Sequence, residues 1–329
     1  MFNKKNILIT GGTGSFGQAF VKLTLQKYKP KKLIVYSRDE SKQWDMLKKF
    51  ENFKNLKFII GDVRDENNLN NSMKDIDYVV HAAATKIVPT AETNPYECIK
   101  TNIIGSMNVI MAAKNNNVKK VVALSTDKAC NPVNLYGSTK LAADKLFIAG
   151  NNFDKKTQTK FSIVRYGNVI GSRGSAIPFF KEQIRKGNIT ITDFRMTRFL
   201  LSLKDCVDFT WLAFSNMYGG EIFVKKIPSI KIKDLADSVN IDKKKYRIIG
   251  IRPGEKIHEE MISKDDAPYT YDMKTYYKII PTINNNYKYY KIKKTQKVKN
   301  EFNYISNVNN KWVTSIELKK WLRLFPNYF

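Results

Sequence analysis

Asn6-Ile7-Leu8-Ile9-Thr10-Gly11-Gly12-Thr13-Gly14-Ser15-Phe16-Gly17 is the stretch that decides the fold. Its apolar front reads as a buried strand, its glycines as a tight turn, and the residues from Gln18 to Tyr28 as the helix that follows. Strand, glycine turn and helix in this order prepare a helix N-terminus for a pyrophosphate. Gly11, Gly14 and Gly17 permit the turn and the close approach, and Thr13, Ser15 and Phe16 complete the loop. The glycines are spaced differently from the more usual G-x-G-x-x-G.

Outward from this turn, the pattern repeats. A second strand, Lys32 to Tyr36, ends in Ser37-Arg38-Asp39-Glu40. An acidic residue at that point would hold the ribose of NAD, whereas an arginine accommodates the 2′-phosphate of NADP, so Ser37 and Arg38 favour NADP. The competing reading is that Arg38 only pairs with Asp39 or Glu40. A third strand, Lys57 to Ile60, leads into Gly61-Asp62-Val63, with Asp62 placed to reach an adenine amine. A fourth, Asp77 to His81, leads into Ala82-Ala83-Ala84, small residues that let backbone lie against a flat ring. A helical pattern from Asn94 to Asn117, a fifth strand from Lys119 to Leu124 and a sixth from Phe161 to Tyr166 extend the rhythm. The expected fold class is α/β, a doubly wound parallel (Rossmann) sheet with ligands outside the carboxyl ends of its strands.

After the fifth strand comes Ser125-Thr126-Asp127-Lys128, then Tyr136 and Lys140, four residues apart at the opening of a helical pattern and so on one face. A nearby ammonium favours the phenolate and lowers a tyrosine pKa that starts at about 10, which suits a phenol to take a proton from an alcohol. The Tyr-x-x-x-Lys spacing occurs by chance on many solvated helices; the glycine turn gives it weight. Neighbours in a strand point to opposite faces, so Asp127 and Lys128 can serve one substrate only if the chain turns just past the strand end. Asn131 and Pro132 are suitable turn residues.

The whole chain bounds the rest. At 329 residues and 43% hydrophobic it can bury a large core. No apolar run approaches the roughly 20 residues that span a bilayer, and the opening residues lead into a strand, so the expected compartment is the cytoplasm. Cys98, Cys130 and Cys206 are too few and scattered for a disulfide framework or a thiolate metal site, and with two histidines no metal is expected. The net charge of +27 is spread along the chain and comes mostly from lysine in a sequence rich in asparagine and isoleucine. A compositional habit explains this as well as a polyanion would, so neither nucleic acid nor membrane is expected as a partner. Asn284-Asn285-Asn286 reads as a loop tip.

These residues resemble the extended short-chain dehydrogenase/reductases, and within them the inverting UDP-N-acetylglucosamine 4,6-dehydratases that start pseudaminic acid synthesis. The resemblance runs through Thr10 to Gly17, Tyr36 to Glu40, Ser125 to Ala129 and Tyr136-Gly137-Ser138-Thr139-Lys140. It continues in Arg165-Tyr166-Gly167-Asn168-Val169, Gly171 to Ser175, Thr192-Asp193, Met196-Thr197-Arg198-Phe199 and Arg252-Pro253-Gly254-Glu255-Lys256. It departs after Ala84, where the family usually shows lysine then histidine and this chain has Lys86 then Ile87.

The resemblance implies NADP as cofactor and a nucleotide sugar as substrate. It implies a dinucleotide-binding domain over 1–170, and a smaller, discontinuous substrate domain over 171–329 that returns some segments to the sheet. It further implies a homo-oligomer, dimer or hexamer. Asn168, Arg198 and Arg252 would hold the UDP phosphates and Glu255 a ribose, with Lys86, Arg173 and Met196 also at the substrate and Lys86 near the cofactor. Arginines within loop signals, Arg173, Arg195, Arg198 and Arg252, are the planar, always charged donors a diphosphate demands. Tyr136 would take the C4 hydroxyl proton with Lys140 lowering its pKa, and Thr126 would bond the same hydroxyl. Asp127 would be the acid at C6 and Lys128 the base at C5. Adjacent Asp and Lys prefer the charged pair, and the useful state is the neutral one; a dry site narrows the gap and leaves the two roles exchangeable. The nearest rival is a nucleotide-sugar 4-epimerase, which needs no acid and base at C5 and C6. A non-catalytic NADP-binding regulatory or scaffold protein is the other.

Overall fold

The computed structural model describes all residues except 153–157, 173, 188, 241–244, 284–287 and 325–329. Six strands come first in the chain: β1 (Asn6–Thr10), β2 (Lys32–Ser37), β3 (Leu56–Ile60), β4 (Tyr78–His81), β5 (Lys120–Thr126) and β6 (Lys160–Tyr166). Among the described residues they belong to a nine-stranded sheet in the order β3, β2, β1, β4, β5, β6, then Ile222–Lys225, Tyr276–Ile279 and Thr270–Asp272. The sheet is parallel as far as Ile222–Lys225 and antiparallel in its last two pairings. Runs such as Ile7-Leu8-Ile9, Leu33-Ile34-Val35 and Val121-Val122-Ala123 are buried, as a sheet covered on both faces requires. The strand order reverses between β1 and β4, which opens a crevice at their carboxyl ends.

Several elements differ from the sequence expectation. The first helix, α1 (Ser15–Lys27), begins at Ser15 instead of Gln18, so the last glycine of the turn lies inside it. β5 runs to Thr126, past the expected end at Leu124, because Ser125 and Thr126 pair with Arg165 and Tyr166 of β6. The expected helix over 94–117 is divided into Pro95–Ile99, a wide π-helical turn at Lys100–Ile104, and Gly105–Asn115. Asn102 in that turn is buried; its amide donates to the Thr85 carbonyl (3.0 Å) and to Thr139 Oγ1 (3.0 Å), and its oxygen accepts from the Thr85 N–H (2.8 Å). A widened turn thus aims one side chain at both the loop after β4 and the helix Leu135–Ala149.

A second apolar cluster, including Ile170, Ile177, Ile191, Met196, Leu200, Ile230, Leu235 and Leu318, lies apart from the cluster that covers the sheet. Trp321 packs against it. No helix among the described residues is long and apolar enough to cross a membrane. Asn284 to Asn286 lie outside the described residues.

Candidate active site

A cavity of about 950 Å³ opens at the carboxyl ends of the parallel strands. From the nucleotide-binding half its wall includes Gly11, Thr13, Gly14, Ser15, Phe16, Gly17, Ser37, Arg38, Asp62, Val63, Ala82, Ala83, Ala84 and Lys86. Thr126, Asp127, Lys128, Tyr136 and Lys140 line it, as do Asn168, Met196, Arg198, Arg252 and Glu255. The sequence-named site residues therefore converge, apart from Arg173, which lies outside the described residues, and Arg195, which is exposed and pairs with Asp193.

The glycine turn is built for a close-lying ligand. Gly11 has φ +66°, and a Cβ there would stand 2.8 Å from the Ala83 backbone. A Cβ on Gly17 would stand 2.4 Å from Gly12 Cα, so the helix can start against the turn only without one. α1 has no side-chain cap and no acidic residue in its first turn, which leaves its N-terminal N–H groups and positive dipole end facing the cavity. These residues fit the pyrophosphate of a dinucleotide.

At the rim, Thr13 Oγ1 and Ser37 Oγ are 2.7 Å apart. Asp39 caps the next helix, and the Arg38 guanidinium is 3.5 Å from Asp62. Burial raises the Asp62 pKa, but hydrogen bonds from Arg64 and the charges of Arg64 and Arg38 bring it below the usual carboxylate range.

Past β5 the chain makes a single helical turn, Asp127–Ala129, in which the Thr126 hydroxyl accepts from the Lys128 N–H (3.3 Å) and donates to Asp127 Oδ1 (2.9 Å). That turn is what brings Asp127 and Lys128 to one wall. It rests on the start of the helix Leu135–Ala149, where a Cβ on Gly137 would lie 2.3 Å from the Lys128 carbonyl oxygen. The helix is capped by Asn134, whose oxygen accepts from the Gly137 N–H (2.7 Å) and whose amide donates to Gly254 O (2.8 Å), so the cap also reaches the loop of Arg252 and Glu255.

The electrostatics centre on Lys128. Its ammonium lies 3.2 Å from Asp127 Oδ1 and 3.3 Å from Glu259 Oε1. Burial works to discharge it, yet the two carboxylates hold its pKa above the ordinary lysine value. Burial is also the largest influence on Asp127 and raises its pKa; Lys128 opposes this and Glu259 adds to it. Tyr136 is pushed up to about 12 by burial, with the Lys128 charge as the largest opposing influence. The sequence pointed to Lys140 for that role. Lys140 is instead buried with its ammonium on the Leu124 carbonyl (2.7 Å), and burial lowers its pKa.

Arg198 is nearly buried; its Nη1 donates to the carbonyls of Thr197 (2.7 Å) and Ile257 (3.1 Å), and its Nε is 3.6 Å from Glu259 Oε1. Arg252 is exposed and paired with Glu255, whose Oε1 accepts from its Nε (2.9 Å). Ile87, at the family's histidine position, is exposed on the cavity wall. Sequence reading missed Glu259. It stands in Ile257-His258-Glu259-Glu260, where neighbours in extended chain face opposite ways. Glu259 is 2% exposed, while Glu260 accepts from the exposed Asn131 amide (2.7 Å). The alternation was legible, but nothing in it says which of the two faces the cavity.

Sheet order, glycine turn and cavity are those of an extended short-chain dehydrogenase/reductase. Residues 7–281 match the polysaccharide biosynthesis protein family, and the chain belongs to it. It is 56% identical, over 97% of each chain, to the UDP-N-acetylglucosamine 4,6-dehydratase (inverting) of Campylobacter jejuni subsp. jejuni serotype O:2. It is 44% identical, over 98% of its own length and 96% of the relative's, to a UDP-glucose 4-epimerase of Rickettsia bellii. The X-ray structure of Pen from Bacillus thuringiensis superposes with a TM-score of 0.91 at 35% identity, covering 100% of this chain and 99% of that one.

Proposed function

We propose that this chain dehydrates UDP-N-acetylglucosamine to a UDP-linked 4-keto-6-deoxy hexose inverted at C5, with NADP as its dinucleotide. The observation that carries the reading is the Asp127–Ala129 turn, which sets a carboxyl and an ammonium side by side on the cavity wall that also holds Tyr136. A 4-epimerase needs no such pair. The relative at 56% identity bears the dehydratase name.

The dinucleotide, held along Gly11 to Gly17 and at Ser37 and Arg38, would carry the C4 hydrogen of the sugar away and return it to C6. Tyr136 takes the proton of the C4 hydroxyl; its burial makes the phenolate costly, and the Lys128 charge reduces that cost. Lys140 steadies the helix that presents Tyr136 through its bond to Leu124. With a ketone at C4 the C5 hydrogen becomes acidic. Lys128, once its ammonium proton has passed to Asp127, takes the C5 proton; Asp127 gives its proton to the C6 hydroxyl, the C6–O bond breaks, water leaves and a C5–C6 double bond forms. As the C4 hydrogen returns to C6, a solvent-exchangeable proton adds to C5 on the opposite face, which leaves C5 inverted. Asp127 suits the acid role, because burial favours its protonated form and its Oδ2 is buried with no protein partner among the described residues. Asn168, Arg198 and Arg252 are proposed for the diphosphate, and Glu255 for a ribose. The Arg252–Glu255 pair must then open or share its guanidinium with phosphate.

In this reading 1–170 serve the dinucleotide, and 171–329, with their own apolar cluster, serve the sugar nucleotide. The step would open pseudaminic acid or related surface-glycan synthesis, in the cytoplasm. A homo-oligomer is part of the same proposal; the exposed apolar residues Tyr96, Ile104, Met107 and Met111 along one helical stretch support it.

A second reading, 4-epimerisation, draws on the relative of that name at 44% identity and on the shared need for Tyr136. Proton NMR of UDP-N-acetylglucosamine incubated with the purified protein and NADP separates them. A C6 methyl doublet, with coupling constants for inverted C5, is expected. A galacto-configured product with its C6 hydroxyl intact would establish epimerisation instead.

A further inference from the structure

Glu259 reaches the cavity from a part of the chain distant in sequence from Asp127 and Lys128, and its placement is over-determined. The following residues, Glu260–Ile262, pair antiparallel with Tyr304–Ile305. The Glu259 N–H donates to Ser306 Oγ (2.9 Å), and its carbonyl accepts from the Ser306 N–H (2.8 Å). Ser306 Oγ in turn lies 2.6 Å from Thr197 Oγ1, beside Arg198. Main-chain bonds place the residue, but its buried carboxylate also needs partner cations, because desolvation alone would discharge it. Its Oε1 meets Lys128 and Arg198, while its Oε2 is buried with no protein partner among the described residues.

We propose that Glu259 is a positioning residue for the elimination: it shares the Lys128 ammonium with Asp127, fixes where that ammonium sits, and sets the pH range in which the Asp127–Lys128 pair carries one proton between them. The inference rests on the dehydratase reading of the site. Two residues adjacent in the chain would by themselves settle as an undisturbed ion pair, with the acid already ionised. A second carboxylate on the same ammonium weakens the hold of Lys128 on an ionised Asp127, and its negative charge favours the protonated carboxyl. The same charge stabilises the ammonium. Both proton affinities of the pair therefore rise together, and the single-proton state occupies a higher pH range than it would without Glu259. The charges around the pair are Tyr136 and Arg198 on the Lys128 side and Lys256 and Arg198 on the Glu259 side. The cations keep Glu259 ionised against the effect of its burial, so it acts as a fixed negative charge.

The test is the pH profile of kcat for 6-deoxy product in the unaltered enzyme, Glu259→Gln and Glu259→Asp, read alongside KM. Glu259→Gln is expected to move both limbs to lower pH by about one unit or more, the effect of a like or opposite charge at this range, and Glu259→Asp to move them back. A lower kcat with both limbs unmoved would overturn the proposal, as would a raised KM with kcat and limbs unchanged. Carboxyl ¹³C NMR of Asp127, assigned through Asp127→Asn, reads the same shift without turnover: its midpoint should fall in Glu259→Gln, and an unchanged midpoint refutes the inference. Should Glu259→Gln not fold, Glu259→Asp, one methylene short of Lys128, must still show a partial fall. If the unaltered enzyme makes no 6-deoxy sugar, the dehydratase reading fails, and the Asp127 midpoint still decides what Glu259 does to the pair.

Discussion

The Lys140 ammonium donates to the Leu124 carbonyl oxygen at 2.7 Å, which fastens the helix carrying Tyr136 to the strand that ends in Thr126. Lys140 is buried on the cavity wall, so the bond is costly to leave half made. Lys140→Met leaves the carbonyl unpaired and is expected to destabilise the fold by about 1–3 kcal/mol, and to weaken dinucleotide binding as Tyr136 loses its fixed distance from the turn at Asp127. Urea unfolding checks the first part; an unchanged midpoint at constant slope would show that the bond holds nothing.

Tyr136 and the Asp127–Lys128 pair are expected to act at separable steps, since removing the C4 hydroxyl proton needs only a base while loss of water needs proton transfer at C5 and C6. Tyr136→Phe should lower dehydration by a factor on the order of 100 or more with no 4-keto sugar formed. Asp127→Asn should form the ketone and stall before the C6 methyl appears; Lys128→Met, which also removes the main charge easing the Tyr136 phenolate, should form the ketone more slowly and stall at the same point. NMR of substrate carrying ¹³C at C4 distinguishes the outcomes. Dehydration by Lys128→Met at close to the normal rate would sink the assignment.

Arg38 lies on the cavity wall at the end of β2, 3.5 Å from Asp62 and more than half exposed, so its guanidinium can meet a phosphate without losing a buried partner. Calorimetry is expected to show tighter binding of NADP than of NAD, with most of the difference lost in Arg38→Ala. Equal affinities for the two dinucleotides in the unaltered protein would remove Arg38 from that role.

His81 is buried at the end of β4, with Nδ1 2.8 Å from Thr10 Oγ1, and burial first, then the Lys140 charge, lowers its pKa from 6.5 to about 3. The folded chain therefore keeps it neutral where the unfolded chain protonates it. Its contribution to stability is complete above pH 6.5 and is lost as pH falls toward 3. Between pH 6.5 and about 5 the fold should lose about 2 kcal/mol through this residue. Denaturation of the unaltered protein and His81→Gln at both pH values measures it. Identical pH slopes would mean that His81 titrates alike in both states.

How far the site was legible differs from residue to residue. Gly11, Gly14 and Gly17 could be read because a turn against a helix start tolerates little else, and Tyr136 and Lys140 because helical spacing puts them on one face. The turn at Asp127 was anticipated only as a condition, that the chain bend just past the strand. β5 runs two residues further than expected, since pairing with β6 overrides the local signal at Ser125 and Thr126. The π-helical turn at Lys100–Ile104 left no mark in the apolar pattern, because it serves one buried amide, Asn102.

Sequence alone determined the order of the first six strands and the glycine turn, and singled out the short motifs that line the cavity. These follow from side-chain size, periodicity and backbone freedom over a few residues. Only the tertiary structure decided which charges meet. It set Glu259 beside Lys128, directed Lys140 to Leu124, leaving Lys128 as the main charge opposing the burial of Tyr136, and brought Asp62 within 3.5 Å of Arg38. The reason is physical: proton affinities depend on burial and on charges a few ångströms away, and for Lys128 one of the decisive charges comes from a segment far along the chain that only folding brings near.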